Sequence, residues 1–214
     1  MHKIYFSDKY GLTQAVLDGR KTMTRRTANV PRTFRGIEVA GFRKLTNKQG
    51  DWFTELYDED ELTIEGSRLK PHYEVGEVVA IAQSYSVIAD QQDEAQNVLG
   101  LYKVGDKLLS MEEMKAGWNN KLFVKSSLMP HHIRITGIKL EQLQDISNDE
   151  CLREGIEEHL KGVQYGFPSN IGYCGQYPFS TLREAFAELI DKVSGKGTFE
   201  SNKWVFAYEF ELID

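Results

Sequence analysis

Within eight residues, Gly19-Arg20-Lys21-Thr22-Met23-Thr24-Arg25-Arg26, the sequence places four cations and two hydroxyls. A hydroxyl beside a lysine is a nucleophile beside a base, and arginines beside the pair are suited to hold a phosphate or carboxylate. For Thr24 to attack an amide, Lys21 must be neutral, so its pKa must drop from about 10.4 towards 7. Burial and the flanking cations Arg20, Arg25 and Arg26 push it down, whereas a carboxylate partner pushes it back up. A lysine that stays charged would instead bind phosphate or a base edge. The plainest use of such a stretch is to end a helix, because cations there bind free carbonyls and favour the dipole.

Charge along the chain argues for more than helix termination. Residues 20–48 carry nine Lys or Arg against the single acid Glu38, a local +8, while the rest of the chain nets −14. One basic region on an acidic protein points to a bounded anion site rather than a surface that coats nucleic acid. His131 and His132 are adjacent, so on a strand they point to opposite faces and do not share a metal. No metal or cofactor is expected, and His132 is a candidate wall of the pocket. Cys151 and Cys174 lack metal-ligand spacing and read as free thiols. Trp52, Trp118 and Trp204 read as core; Tyr165, Tyr173 and Tyr177 are better placed to stack a base.

The elements that must position these residues follow from pattern. Leu12, Ala15, Val16 and Leu17 recur at helical spacing from about Gly11, with Ser7 or Asp8 as cap and Gly19 as the left-handed residue at the end. Beyond it the β-branched alternation of 22–26 reads as a strand with Thr22 and Thr24 on one face. Strands are also expected at 3–6, 37–42, 51–57 (a hairpin with 37–42 around Asn47-Lys48-Gln49-Gly50), 78–85, 132–140 with a bulge at Gly137, and 204–213 with one buried face. Capping boxes at Ser110–Glu113 and Ser147–Glu150 open helices, the second ending near Glu154 and Gly155 or continuing through Glu157 and Glu158. Trp118 and Phe123 should pack the first of these down. Ser180 caps an amphipathic helix carrying Leu182, Phe186, Leu189, Ile190 and Val193. Residues 162–178 read as a long Gly- and Tyr-rich loop covering a site.

Taken in order, Gly19 to Arg26, Val75-Gly76-Glu77-Val78-Val79, Met129-Pro130, Leu143-Gln144-Asp145-Ile146 with Glu154-Gly155-Ile156, and the aromatic last strand resemble the ASCH family of the PUA-like superfamily, especially its longer phage-associated and bacterial members. The resemblance spans most of the chain outside 29–70 and 89–127. It implies an α+β fold, a small, partly open β-barrel with flanking helices, as a single domain over 1–214 with those two stretches as insertions. It also implies an RNA- or nucleotide-related role. Some small members that the chain resembles are amidohydrolases that deacetylate acetylcytidine with a Lys, a second Thr and a Glu, which match Lys21, Thr24 and Glu154. The chain departs from them at Arg25, where an apolar residue is common, and in its two insertions.

The expectation is therefore a cytoplasmic protein with a Lys21/Thr24/Arg26/Glu154 pocket for a nucleotide or single-stranded RNA, with Arg20, Thr22, Arg25 and His132 as further ligand contacts. The alternatives are amide hydrolysis of an acylated nucleobase or nucleoside, and a non-catalytic interaction module of a mobile element. No membrane partner is expected, since no apolar run is long enough to span a bilayer.

Overall fold

A computed structural model describes residues 1–89, 100–159, 162–168 and 178–214. Cys174, Tyr173, Tyr177 and part of the insertion expected over 89–127 lie outside these. The architecture is α+β. Its centre is a five-stranded sheet in the order β1 (Lys3–Ile4), β7 (Val78–Ile81), β10 (His132–Gln142), β13 (Trp204–Leu212), β2 (Met23–Thr27). β1 runs parallel to β7 and the other pairs are antiparallel. Among the described residues β1 and β2, the two edges, share no ladder and no barrel closes. The edges nonetheless approach each other, for Arg26 on β2 donates from Nη2 to the carbonyl of Tyr5, just beyond β1, at 2.5 Å.

Helix α1 (Leu12–Leu17) buries Leu12, Ala15 and Val16, as its spacing predicts. Its cap is Gly11 rather than Ser7 or Asp8, because a 3-10 turn over Asp8–Tyr10 comes first and Asp8 is taken up by the Thr13 hydroxyl. Gly19 adopts φ 72°, the left-handed exit expected of it.

The expected strand 37–42 divides in two. Short β3 (Thr33–Phe34) and β4 (Ile37–Glu38) pair with each other, and β5 (Gly41–Thr46) pairs with β6 (Trp52–Tyr57) around the Asn47–Gly50 turn. Inward-facing Phe42 and Trp52 pack against Trp204 and Phe206, so this hairpin covers one face of β13. The other face lies beneath α4 (Asn148–Arg153) and α5 (Leu182–Ser194), and β13 is consequently buried on both faces rather than one: Val205, Phe206, Ala207 and Tyr208 are all inaccessible. β10 carries the expected bulge, its register slipping between Ile135 and Gly137.

Chain 100–129 builds a smaller apolar cluster of its own. β8 (Leu101–Val104) and β9 (Lys107–Ser110) form a hairpin leading into α3 (Met111–Met114), capped by the Ser110–Glu113 box. Val104, Met114, Val124 and Met129 pack there with Tyr85 of α2 (Tyr85–Ile88); the strand expected over 78–85 ends at Ile81, and Ser84 caps this helix instead. Trp118 joins this cluster against Tyr102, whereas Phe123 is 62% exposed and holds nothing down.

Three further expectations are corrected. Glu157 and Glu158 belong to β11 (Glu157–His159), paired with β12 (Gln164–Gly166), not to a continued helix, because Gly155 has already turned the chain at φ 101°. Part of the expected 162–178 loop is thus a strand, and Tyr165 packs against the main core. Thr181, not Ser180, caps α5, its hydroxyl accepting from the Glu184 N–H.

Candidate functional site

The backbone brings Lys21 inward first. The N–H groups of Arg20 and Lys21 both close on the Ala15 carbonyl, and Thr22 N–H donates to the Arg153 carbonyl at 2.9 Å, tying the exit of α1 to the end of α4. Glu154 is the C-terminal cap of α4. A carboxylate there faces the negative end of the dipole and needs a cation. Lys21 supplies it: Nζ donates to Glu154 Oε2 at 2.6 Å and to the Glu154 carbonyl at 2.7 Å, with the Phe6 ring 5.8 Å away. Gly155 makes the approach possible, since a Cβ there would sit 3.2 Å from Leu12 and 3.6 Å from the Lys21 stem, on a backbone that side chains rarely adopt. Lys21 is 2% exposed. Burial lowers its pKa, and Arg26 and Arg25 add to this against the opposing pull of Glu154.

Arg25 belongs to the same cluster. Its Nη1 donates to Glu154 Oε1 at 3.1 Å, its Nε and Nη2 to Glu141 Oε1 at 2.9 and 2.7 Å, and Nη2 also to Glu150 Oε2 at 2.9 Å. Lys139 completes it, bonded to Glu141 at 2.8 Å and to Glu150. Strand register explains the convergence. Arg25, Ala207 and Lys139 stand opposite one another on β2, β13 and β10, hence on one face, and the small Ala207 leaves room for Arg25 to reach across it. Three cations meet three carboxylates, so the cluster is close to neutral. Burial alone would lower the Arg25 pKa, but the carboxylates outweigh it and raise it. For Glu150, burial pushes up, yet the bonds from Lys139 and Ser147 N–H and the charge of Arg25 bring its pKa down to about 2.

Thr24 is 5% exposed and its hydroxyl has no hydrogen-bond partner among the described residues. It lines a hollow of about 50 Å³ together with Lys21, Arg25, Arg26 and Glu154, walled by Phe6, Leu12, Phe186 and Leu189. A water occupies about 30 Å³ and pockets for drug-sized ligands about 300–1,000 Å³, so this chamber holds a water or a small acyl group and not a nucleobase.

The other sequence-selected residues are placed elsewhere. Arg20 is exposed, bonded to Asp18 and Glu157 at 3.1 and 2.8 Å. Thr22 Oγ1 accepts from Arg153 Nε at 3.1 Å. His132 pairs through Nδ1 with the Asp214 carboxylate at 2.7 Å. None of the three lines the hollow. Arg25 lines it but is committed to its carboxylates. Cys151 is buried and free, and burial pushes its thiol up to about 11, far from reactive.

Glu141, Glu150 and Lys139 escaped the sequence reading. Their signals were present: Glu150 is the third helical residue of a capping box, and Lys139 and Glu141 share the face of β10 opposite Leu140. Only the pairing of β10 through β13 to β2 directs them at Arg25. Among the described residues no group of His, Cys, Asp or Glu could hold a metal, and no helix is long and apolar enough to cross a membrane.

Comparison of the chain with protein-family models, curated proteins and solved structures finds no match in any of the three. The chemistry of the site therefore rests on its geometry. A neutral lysine has two N–H groups and one lone pair. Neutral, with two donors directed at Glu154, Lys21 would keep that lone pair free to take a proton.

Proposed function

We propose that the chain is an amidohydrolase that removes a small acyl group from the amino group of a nucleobase or nucleoside, with Lys21 as base and Thr24 as nucleophile. The observation that carries this reading is a desolvated lysine of lowered pKa sharing a small, partly open hollow with a threonine hydroxyl that has no hydrogen-bond partner among the described residues. Lys21 takes the Thr24 proton as Oγ1 bonds to the acyl carbon, then returns it to the departing nitrogen as the C–N bond breaks. Water, deprotonated by the same amine, cleaves the threonine ester and frees the acid. Glu154 acts as a positioning residue: it accepts from Lys21 through Oε2, while Arg25 holds its other carboxylate oxygen.

Incubation with N4-acetylcytidine tests this. Cytidine should appear, its release should rise with pH as Lys21 deprotonates, and it should fall at least about 100-fold in both Lys21→Met and Thr24→Val. Measurable binding of acetylcytidine without turnover would refute catalysis.

The second reading, nucleotide or single-stranded RNA binding without turnover, is favoured by Arg26. Among the described residues it faces no carboxylate, and its one hydrogen bond goes to the Tyr5 carbonyl. Under that reading Arg26→Ala weakens RNA affinity and flattens its salt dependence.

A further inference from the structure

A second hollow, of about 180 Å³, adjoins the Lys21–Thr24 chamber and shares Arg25, Arg26, Ile190 and Ser194 with it as walls. Its remaining lining is Thr27, Leu143, Thr198, Lys203 and Val205, with no acid anywhere. Charge at the two hollows is unevenly matched. Lys21, Arg25 and Lys139 are balanced by Glu141, Glu150 and Glu154. Lys203 is left over, with no carboxylate partner among the described residues, and is the cation this hollow offers to an anion; Arg26 borders the hollow but sends Nη2 to the Tyr5 carbonyl.

The donors have fixed roots. The Lys203 carbonyl accepts from Leu143 N–H at 2.9 Å, anchoring that residue where β10 ends. Ser194 closes α5, and the turn beyond it is held by Asp191, whose carboxylate accepts from Gly197 N–H at 2.7 Å and Phe199 N–H at 2.9 Å and does not line the hollow. A helix C-terminus would repel an anion. Here Gly195 N–H takes the Asp191 carbonyl and the Thr198 hydroxyl takes that of Gly195, which blunts the effect. Lys203 and the Ser194 and Thr27 hydroxyls have no partners among the described residues and are free to donate.

We infer that this outer hollow is a phosphate subsite, and that the inner chamber takes a phosphorylated nucleoside in preference to the free one, which it also turns over. The inference rests on the amidohydrolase reading for the chemistry inside and adds what holds the leaving group outside. The volume suits a single phosphate with a few neighbouring atoms and excludes a polymer. Lys203 then determines specificity: it touches the part of the substrate that does not react.

Calorimetric titration of the full chain with cytidine 5′-monophosphate and with cytidine tests this without requiring turnover. The monophosphate should bind at least about tenfold more tightly, the worth of one charge-assisted hydrogen bond. That preference should shrink as salt is raised, fall to near unity in Lys203→Met, and persist in Lys196→Met, which removes a charge from the same loop outside the hollow. Equal affinities, no binding of either compound, or a preference untouched by Lys203→Met would overturn the subsite. Phosphate preference without hydrolysis of acetylated cytidine 5′-monophosphate would sink only the reading of Lys21 and Thr24, and hydrolysis without the preference would sink only the subsite.

Discussion

At the scale of single residues, Lys21 and Arg25 share Glu154 but play different physical parts. Arg25 is the hub: without it Glu141, Glu150 and Glu154 face only Lys21 and Lys139, in a space where unpaired charge is costly. Arg25→Met should therefore lower unfolding free energy by about 3–5 kcal/mol. Lys21→Met leaves Glu154 its bond to Arg25 and puts an apolar chain beside Phe6 and Leu12, so its cost should stay below about 2 kcal/mol while activity collapses. Urea denaturation of both variants checks the order. If Lys21→Met proves the more damaging, the lysine is a structural member of the cluster and the case for it as a base fails. Thr24 adds the complementary fact, a nearly buried residue whose hydroxyl lines the hollow and has no hydrogen-bond partner among the described residues.

At the scale of elements, the site exists because two chain reversals are held against each other: the exit of α1 into β2, and the exit of α4 into β11. Gly155 is the contact point, at φ 101° with Leu12 and Lys21 against it. Gly155→Ala should cost more than about 1 kcal/mol from backbone strain, and should reduce turnover beyond what that loss explains, because Glu154 moves with it. Thermal melts paired with kinetics well below the melting point separate the two effects; full turnover in the folded variant would show that the placement of Glu154 is not critical. The first reversal was legible in the sequence, Gly19 following apolar helical spacing, because cap chemistry is local; the capping box before Gly155 set where the second helix starts but left open whether it stops there or continues through Glu157 and Glu158. The division of 37–42 was not legible, since a β-branched run pairs with whichever strand tertiary packing offers it.

At the scale of the whole molecule, the six-charge cluster predicts how stability follows pH. Glu150 has a folded pKa of about 2 against an ordinary 4.5, so it stabilises above 4.5 and that contribution, up to about 3 kcal/mol, is lost as pH falls through 2. Lys21 has a folded pKa below its ordinary 10.5. Between those two values the unfolded chain binds the extra proton, so stability rises with pH across that window. Urea midpoints against pH should fall on the acid side less steeply in Glu150→Gln and lose the alkaline rise in Lys21→Met; unchanged slopes would refute the assignment. The sequence by itself determined the α+β class, the elements around Lys21 and the bulge at Gly137, since period, caps and turns are written in neighbouring residues. Only the tertiary structure decided that β13 is buried on both faces, that Arg25 is neutralised rather than free, that His132 and Arg20 stand apart, and that Lys203 joins Arg26. Each depends on which strands pair across the sheet and on what covers each face, and residues more than a hundred positions apart carry no local mark of one another.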